Sequence, residues 1–137
     1  MWSYEHAVEA EVSAEAIWGA WADVGRWGEW NADIERVSID GPFAAGAHIE
    51  MTPRGADPVV LRIADARPGE RFVDEADVGG AIVTTTHLVE PAGEGRVRIV
   101  YRTEITGPAA NEIGPRLGPA ITDDFPETIA ALVEFAR

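Results

Sequence analysis

The stretch that decides the fold lies at residues 12–31 and reads VSAEAIWGAWADVGRWGEWN. It holds four of the five tryptophans of the chain. Indole side chains are large and mostly buried, so this density requires a large apolar space nearby. Ser13 is a good helix N-cap, and Glu15 suits the positive end of a helix dipole. The stretch therefore predicts a capped helix that begins after Ser13.

The predicted helix is amphipathic and is followed by a second, shorter helical turn. Its apolar stripe has the spacing i, i+3, i+4, i+7 and consists of Ile17, Ala20, Trp21 and Val24. Gly25 is expected to end the helix. Trp27 and Trp30, three residues apart, indicate the second turn.

Segments of alternating polarity on both sides of these helices predict strands. Residues 4–12 alternate with period 2, which places three glutamates on a solvent face. The other predicted strands are residues 34–40, 47–52, 59–66, 71–77, 82–90 and 96–105. Short turns link these last six strands and favour an antiparallel meander, so the chain is predicted to be an α+β protein.

The C-terminal segment predicts a long helix that is interrupted by proline. Its apolar stripe, long enough to lie across the sheet, consists of Ile113, Leu117, Ile121, Phe125, Ile129, Leu132, Val133 and Ala136. Pro115, Pro119 and Pro126 should kink or break it, because proline removes a backbone hydrogen bond and clashes one turn back. Asp124 can cap a restarted helix, with Glu127 at its third position.

Residues 12–31, the strand before them and residues 37–46 (VSIDGPFAAG) together resemble the opening of the START-like, or SRPBCC, helix-grip superfamily. Within it, the likeness is greatest to small bacterial proteins described as polyketide cyclase/dehydrase and lipid transport. It extends through Arg71-Phe72, residues 87–91 and the C-terminal segment. The resemblance implies a curved antiparallel sheet wrapped around a long C-terminal helix, two short helices after strand 1, and a deep cavity that takes lipids, hormones or polyketides.

Length and composition limit the classes of function. One domain is expected over residues 1–137. The net charge is −13 and all 11 basic residues are arginine, so nucleic acid and anionic membranes are poor partners. The lack of cysteine excludes disulfides and thiolate catalysis. No apolar run approaches the roughly 20 residues of a spanning helix, so we expect no membrane insertion. We also expect a cytoplasmic protein that is a monomer or a homodimer.

Strand parity predicts which side chains face the cavity. In the last two strands the inward set is Val83, Thr85, His87, Val89, Val97, Ile99, Tyr101, Thr103 and Ile105. The outward set is Arg96, Arg98, Arg102 and Glu104. By the same alternation Ile49 and Met51 point inward, whereas His48 and Glu50 point outward. His6 falls on the inner face of the first strand.

His87 is the most informative single residue, because a neutral imidazole both donates and accepts hydrogen bonds and titrates near neutrality. With Tyr101 and His6 it could bind a carbonyl or phenol, or move a proton during an aldol closure. The alternative is a structural histidine bonded to Thr85, Tyr101 or backbone. The full predicted ligand-binding set is Trp30, Asn31, His6, Ile49, Met51, Phe72, Thr85, His87, Tyr101, Thr103, Ile121 and Phe125.

Two other polar groups have simpler explanations than a site. His48 and Glu50 could hold a metal with a third ligand, but a solvated strand face is favoured. Asp123 and Asp124 could line the mouth of the cavity, although capping also explains Asp124. Phosphate loops, nucleophile elbows and zinc-protease motifs are absent. We therefore expect no cofactor and no metal.

Three functions remain open from the sequence. The first is binding of a small aromatic, polyketide or lipid-like molecule in an internal cavity. The second is a polyketide cyclase or dehydratase in which His87 and Tyr101 are the acid/base and orienting groups. The third is a co-chaperone-like interaction module, which requires an exposed apolar patch and little internal volume.

Overall fold

A seven-stranded antiparallel sheet forms the frame of the protein, for which a computed structural model describes residues 1–137. Its strands are β1 (Trp2–Ala10), β2 (Ile34–Ile39), β3 (His48–Pro53), β4 (Val59–Arg67), β5 (Arg71–Asp77), β6 (Ile82–Pro91) and β7 (Val97–Thr106). They lie in the order β1-β7-β6-β5-β4-β3-β2. The predicted meander of the last six strands is confirmed, and β1 joins it beside β7.

The tryptophan-rich stretch forms α1 (Ala14–Ala22) and a 3₁₀ helix (Val24–Glu29). The predicted N-cap is confirmed, because the Ser13 hydroxyl accepts a hydrogen bond from the Ala16 amide at 3.0 Å. The predicted end at Gly25 is wrong. Helix α1 already ends at Ala22, since Asp23 leaves the helical conformation, and Gly25 lies inside the 3₁₀ helix.

The C-terminal segment forms two helices, α2 (Ala110–Thr122) and α3 (Phe125–Ala136), so the predicted break is confirmed. Pro115 and Pro119 both lie within α2. Asp124 occupies the N-cap position of α3, but its side chain makes no capping hydrogen bond, so the predicted capping box does not form. The chain bends between the two helices instead.

The alternation predicted for β6 and β7 is present. His87 pairs in register with Tyr101 and Thr85 with Thr103, and all four are buried. The opposite face carries cross-strand ion pairs, such as Arg98 with Glu90 and Arg102 with Glu5.

The sheet curves around the C-terminal helices. Register shifts between Ile34 and Arg36 on β2, and between Ile63 and Asp65 on β4, mark irregularities of the kind that bend strands. Helix α3 adds Ile129 and Leu132 to the core on the concave side. This is the predicted helix-grip arrangement. None of its helices is long and apolar enough to cross a membrane.

Candidate functional site

A cavity of about 480 Å³ lies between the concave face of the sheet and the C-terminal helices. Its volume falls within the range of about 300–1,000 Å³ that is usual for small-molecule sites. Its apolar wall includes Trp27, Trp30, Ile34, Met51, Leu61, Phe72, Val83, Leu117, Ile121 and Phe125. Its polar groups include Asn31, Asp33, Arg54, Asp74, Thr85, His87, Tyr101, Asp124 and Thr128. The cavity is thus mainly apolar with a few polar positions.

Aromatic packing fixes one wall of the cavity. The His87 ring stacks on Phe72 with centroids 3.9 Å apart and planes at 4°. Tyr101 meets His87 edge-on at 4.6 Å, and Phe125 of α3 meets Tyr101 edge-on at 5.4 Å. Such contacts hold each ring in one orientation. Contacts within the protein therefore hold this wall in place.

Of the three buried tryptophans, two have an N–H group that is satisfied within the protein, and one does not. Trp21 Nε1 donates to the Tyr101 hydroxyl at 3.1 Å, and Trp27 Nε1 donates to the Trp21 carbonyl at 2.9 Å. Trp30 is 8% exposed, and its buried Nε1 has no hydrogen-bond partner. A buried donor without a partner is costly.

His87 is a neutral residue at physiological pH. Burial lowers its pKa to about 3, although a contact of 3.3 Å between Nδ1 and the Phe72 carbonyl works in the opposite direction. The near-neutral titration expected from the sequence is therefore wrong for His87, because desolvation disfavours the charged ring. Burial likewise raises the pKa of the Tyr101 hydroxyl above its usual range. Neither group is suited to proton exchange near pH 7.

Asp74 is a buried polar residue of the cavity that was not predicted from the sequence. It is 8% exposed, lines the cavity, and belongs to the central strand β5. Burial alone raises its pKa to about 7, with no hydrogen bond or opposite charge to stabilise the carboxylate. The signal was present in the sequence: Asp74 lies two residues after Phe72, which was assigned inward, so both share one face.

The mouth of the cavity carries two further carboxyl groups. Asp33 precedes β2, Asp124 lies at the bend between α2 and α3, and both line the cavity. Burial first, and then the neighbouring Asp33, raise the pKa of Asp124 to about 6. Arg54 also lines the mouth and donates from Nε to the Ala32 carbonyl at 2.7 Å. Asp124 therefore lies where the sequence suggested a mouth residue.

Most members of the predicted ligand-binding set line the cavity, namely Trp30, Asn31, Met51, Phe72, Thr85, His87, Tyr101, Ile121 and Phe125. Ile49, Thr103 and His6 do not. Ile49 and Thr103 are fully buried, and the Thr103 hydroxyl is 2.9 Å from that of Thr85. His6 lies on the Tyr101 face of the sheet, but Phe125 packs against Tyr4 and covers this side. These three are structural neighbours of the cavity.

The remaining sequence candidates lie outside the cavity. His48 and Glu50 are exposed, and His48 is 3.3 Å from the Asp40 carboxylate. No group of side chains has the arrangement of a metal site. The large exposed apolar residues are Met1, Tyr4 and Val60. An extended apolar patch and a filled interior, both required for an interaction module, are therefore not found.

Solved structures with the same fold come from several functional classes. Norcoclaurine synthase from Thalictrum flavum, in complex with dopamine and hydroxybenzaldehyde, aligns with a TM-score of 0.76 at 16% identity, covering 96% of this chain and 84% of that chain. A START superfamily protein from Mycobacterium smegmatis aligns with a TM-score of 0.75 at 13% identity, covering 96% and 94%. One half of the di-domain ARO/CYC StfQ of the steffimycin biosynthetic pathway aligns at 0.78 and 14% identity, covering 98% of this chain and 50% of that chain. These similarities establish the fold.

The sequence itself identifies the family. No curated protein matches it. The sequence profile of the family described as polyketide cyclase / dehydrase and lipid transport matches residues 1–135. That match and the apolar cavity support hydrophobic ligand binding as the general function. The chain belongs to the polyketide cyclase/dehydrase and lipid transport family.

Proposed function

We propose that the protein binds a small aromatic or polyketide-like molecule in the cavity between the sheet and helices α2 and α3. The observation that carries this proposal is the aromatic wall of the cavity together with the unpaired N–H of Trp30, a residue that also lines the cavity. An aromatic ligand that bears an oxygen acceptor would fill the apolar volume and satisfy this donor. In norcoclaurine synthase, the same fold holds small aromatic molecules.

Binding can be tested with prodan, a neutral naphthalene ketone whose emission shifts to the blue in apolar surroundings. We expect saturable binding at micromolar affinity. Trp30→Phe removes the N–H and should weaken binding about fivefold, the effect of one hydrogen bond of about 1 kcal/mol. Trp30→Ala also removes ring contacts and should weaken it further.

Trp18 provides the matched control. It packs on Trp21 and Phe43 and does not line the cavity, so Trp18→Phe should leave the affinity within about twofold of the wild-type value. Circular dichroism must show that each variant is folded. If neither prodan nor other flat aromatic compounds bind, the proposal is wrong.

A cyclase or dehydratase is the second candidate, and one observation favours it. These reactions require a group that exchanges a proton near neutral pH, and the pKa of Asp74, at about 7, meets this requirement better than that of His87 or Tyr101. Turnover of a poly-β-ketone substrate that is abolished by Asp74→Asn would support catalysis. Binding without turnover would support the carrier function.

A further inference from the structure

The cavity contains an acidic group that no part of the protein balances. Asp74 is buried at the centre of the sheet and lacks any hydrogen-bonding or charged partner in the protein. Its neighbours do not neutralise it, because His87 is uncharged and neither His87 nor the Tyr101 hydroxyl makes a hydrogen bond to it. A carboxylate in such surroundings is strongly destabilised unless a partner is supplied. A ligand that carries a positive charge would supply the partner that the chain does not.

The balance of charges around the cavity favours a cation. Three carboxyl groups line it, those of Asp33, Asp74 and Asp124, against a single basic residue, Arg54. The protein has no lysine, and its net charge is −13. An anionic ligand would meet repulsion both at the mouth and inside, whereas a cation is attracted at both places.

We propose that the natural ligand is a small aromatic amine whose ammonium group pairs with the Asp74 carboxylate. This inference rests on the proposed binding function and specifies the chemical class of the ligand. The ammonium supplies the opposite charge and the donors that Asp74 lacks, in surroundings that strengthen both interactions. The rest of the molecule packs against the apolar lining, which includes the rings of Trp27, Phe72 and Tyr101.

A charge series on one ring system tests the inference. Naphthylmethylamine, naphthylmethanol and naphthoic acid are close in size and present a cation, a neutral group and an anion at pH 8. We expect calorimetry to show the amine binding at least about tenfold more tightly than the alcohol, and the acid binding most weakly. Asp74→Asn should weaken the amine at least about tenfold and change the alcohol less than about threefold.

Asp77→Asn is the matched control, because it removes the same charge from the exposed end of the same strand. Asp77 does not line the cavity, so the preference for the amine should persist in this variant. Asp74→Glu keeps the charge and should retain the preference. Asp124→Asn, which removes a charge at the mouth, should reduce amine binding less than Asp74→Asn does.

Protonation gives an independent readout. The amine should displace a proton from Asp74 near pH 7, since the pKa of this carboxyl is about 7 in the empty protein. Calorimetry in two buffers of different ionisation enthalpy would detect this release, and Asp74→Asn should abolish it. His87 and Tyr101 do not titrate in this range. Asp124, beside Asp33 at the mouth, does titrate in this range. The Asp124→Asn variant must therefore still release a proton when the amine binds.

The outcomes separate the two proposals. Equal affinity for the amine and the alcohol, unchanged in Asp74→Asn, would overturn the amine assignment and leave the proposed binding function intact. Failure of all three compounds to bind would overturn both. Tighter binding of naphthoic acid than of naphthylmethylamine would also contradict the inference.

Discussion

At the scale of single residues, Asp74 shows how a binding group can oppose stability. Its carboxyl is largely buried at the cavity wall and gains no hydrogen bond or opposite charge from the protein. His87 shows the reverse, because it remains neutral and its ring packs flat on Phe72. Sequence parity identified the inward direction of His87 but could not predict its titration, which depends on how completely neighbouring elements exclude water. The same limit applies to Ile49 and Thr103, whose inward direction did not reveal their depth below the cavity.

The stability of the empty protein should therefore depend on pH through Asp74. The folded pKa of Asp74, about 7, exceeds the ordinary value of 3.8, so the folded state binds this proton more strongly. Below pH 4 the carboxyl is protonated in both the folded and the unfolded state, and its full contribution to stability is present. As the pH rises through 7, the unfolded state loses this proton more readily, and the free energy of unfolding falls by up to about 4 kcal/mol. Asp74→Asn should unfold at a temperature several degrees above the wild type at pH 8 and at nearly the same temperature at pH 4. A constant difference across this range would contradict the prediction.

At the scale of elements, helix α2 packs against the first residue of β1, Trp2, at two glycines. Gly114 and Gly118 lie one turn apart on α2, and the Trp2 side chain occupies the space that a Cβ at either position would need. β1 spans Trp2–Ala10, two residues earlier than the predicted 4–12, because its pairing with β7 runs from Trp2 to Ala10. Alternation located all seven strands because it is local in sequence. The docking of Trp2 joins residues more than a hundred positions apart, so no local pattern could show it.

The glycine contact predicts that Gly118→Ala destabilises the protein. Alanine favours a helix over glycine by about 1 kcal/mol, but here its Cβ overlaps the Trp2 ring, and such overpacking costs about 1–3 kcal/mol. Urea denaturation should give a lower free energy of unfolding. Gly19→Ala in α1, where the added Cβ meets nothing within 4 Å, should be stabilising or neutral. In a Trp2→Ala background, Gly118→Ala should become stabilising; the same loss there would rule out the steric explanation.

At the scale of the whole molecule, the bend between α2 and α3 connects the cavity to the surface. Ile121 and Asp124 on either side of this bend line the cavity, while Ile129 and Leu132 anchor α3 in the core. The outer face of the sheet carries exposed ion pairs, each contributing no more than about 1 kcal/mol, and takes no part in the site. The fold class and the predicted proline break follow from sequence patterns. The negative charge of the cavity does not follow from any sequence pattern, because Asp33, Asp74 and Asp124 are far apart in the sequence and come together only in the folded protein.

The bend should be the least protected part of the C-terminal segment. Proline donates no amide hydrogen bond, and the two prolines in α2 reduce the bonding before the bend. Backbone amides of residues 118–125 should exchange hydrogen faster than those of residues 129–135. Bound prodan or naphthylmethylamine should slow the exchange at 118–125 and leave that of β7 unchanged. Uniform protection over residues 113–136 would show that the bend is no weak point.

The order of the strands has one further consequence. The sheet does not close on itself, so β1 and β2 are its two edges, where unpaired backbone groups can recruit another chain. β1 carries Glu5 and Glu9, and β2 carries the exposed Glu35. While ionised, these side chains repel a second copy. Replacing these three glutamates with glutamine removes the charge and leaves the backbone groups, so self-association of that variant should begin by edge-to-edge pairing of these two strands.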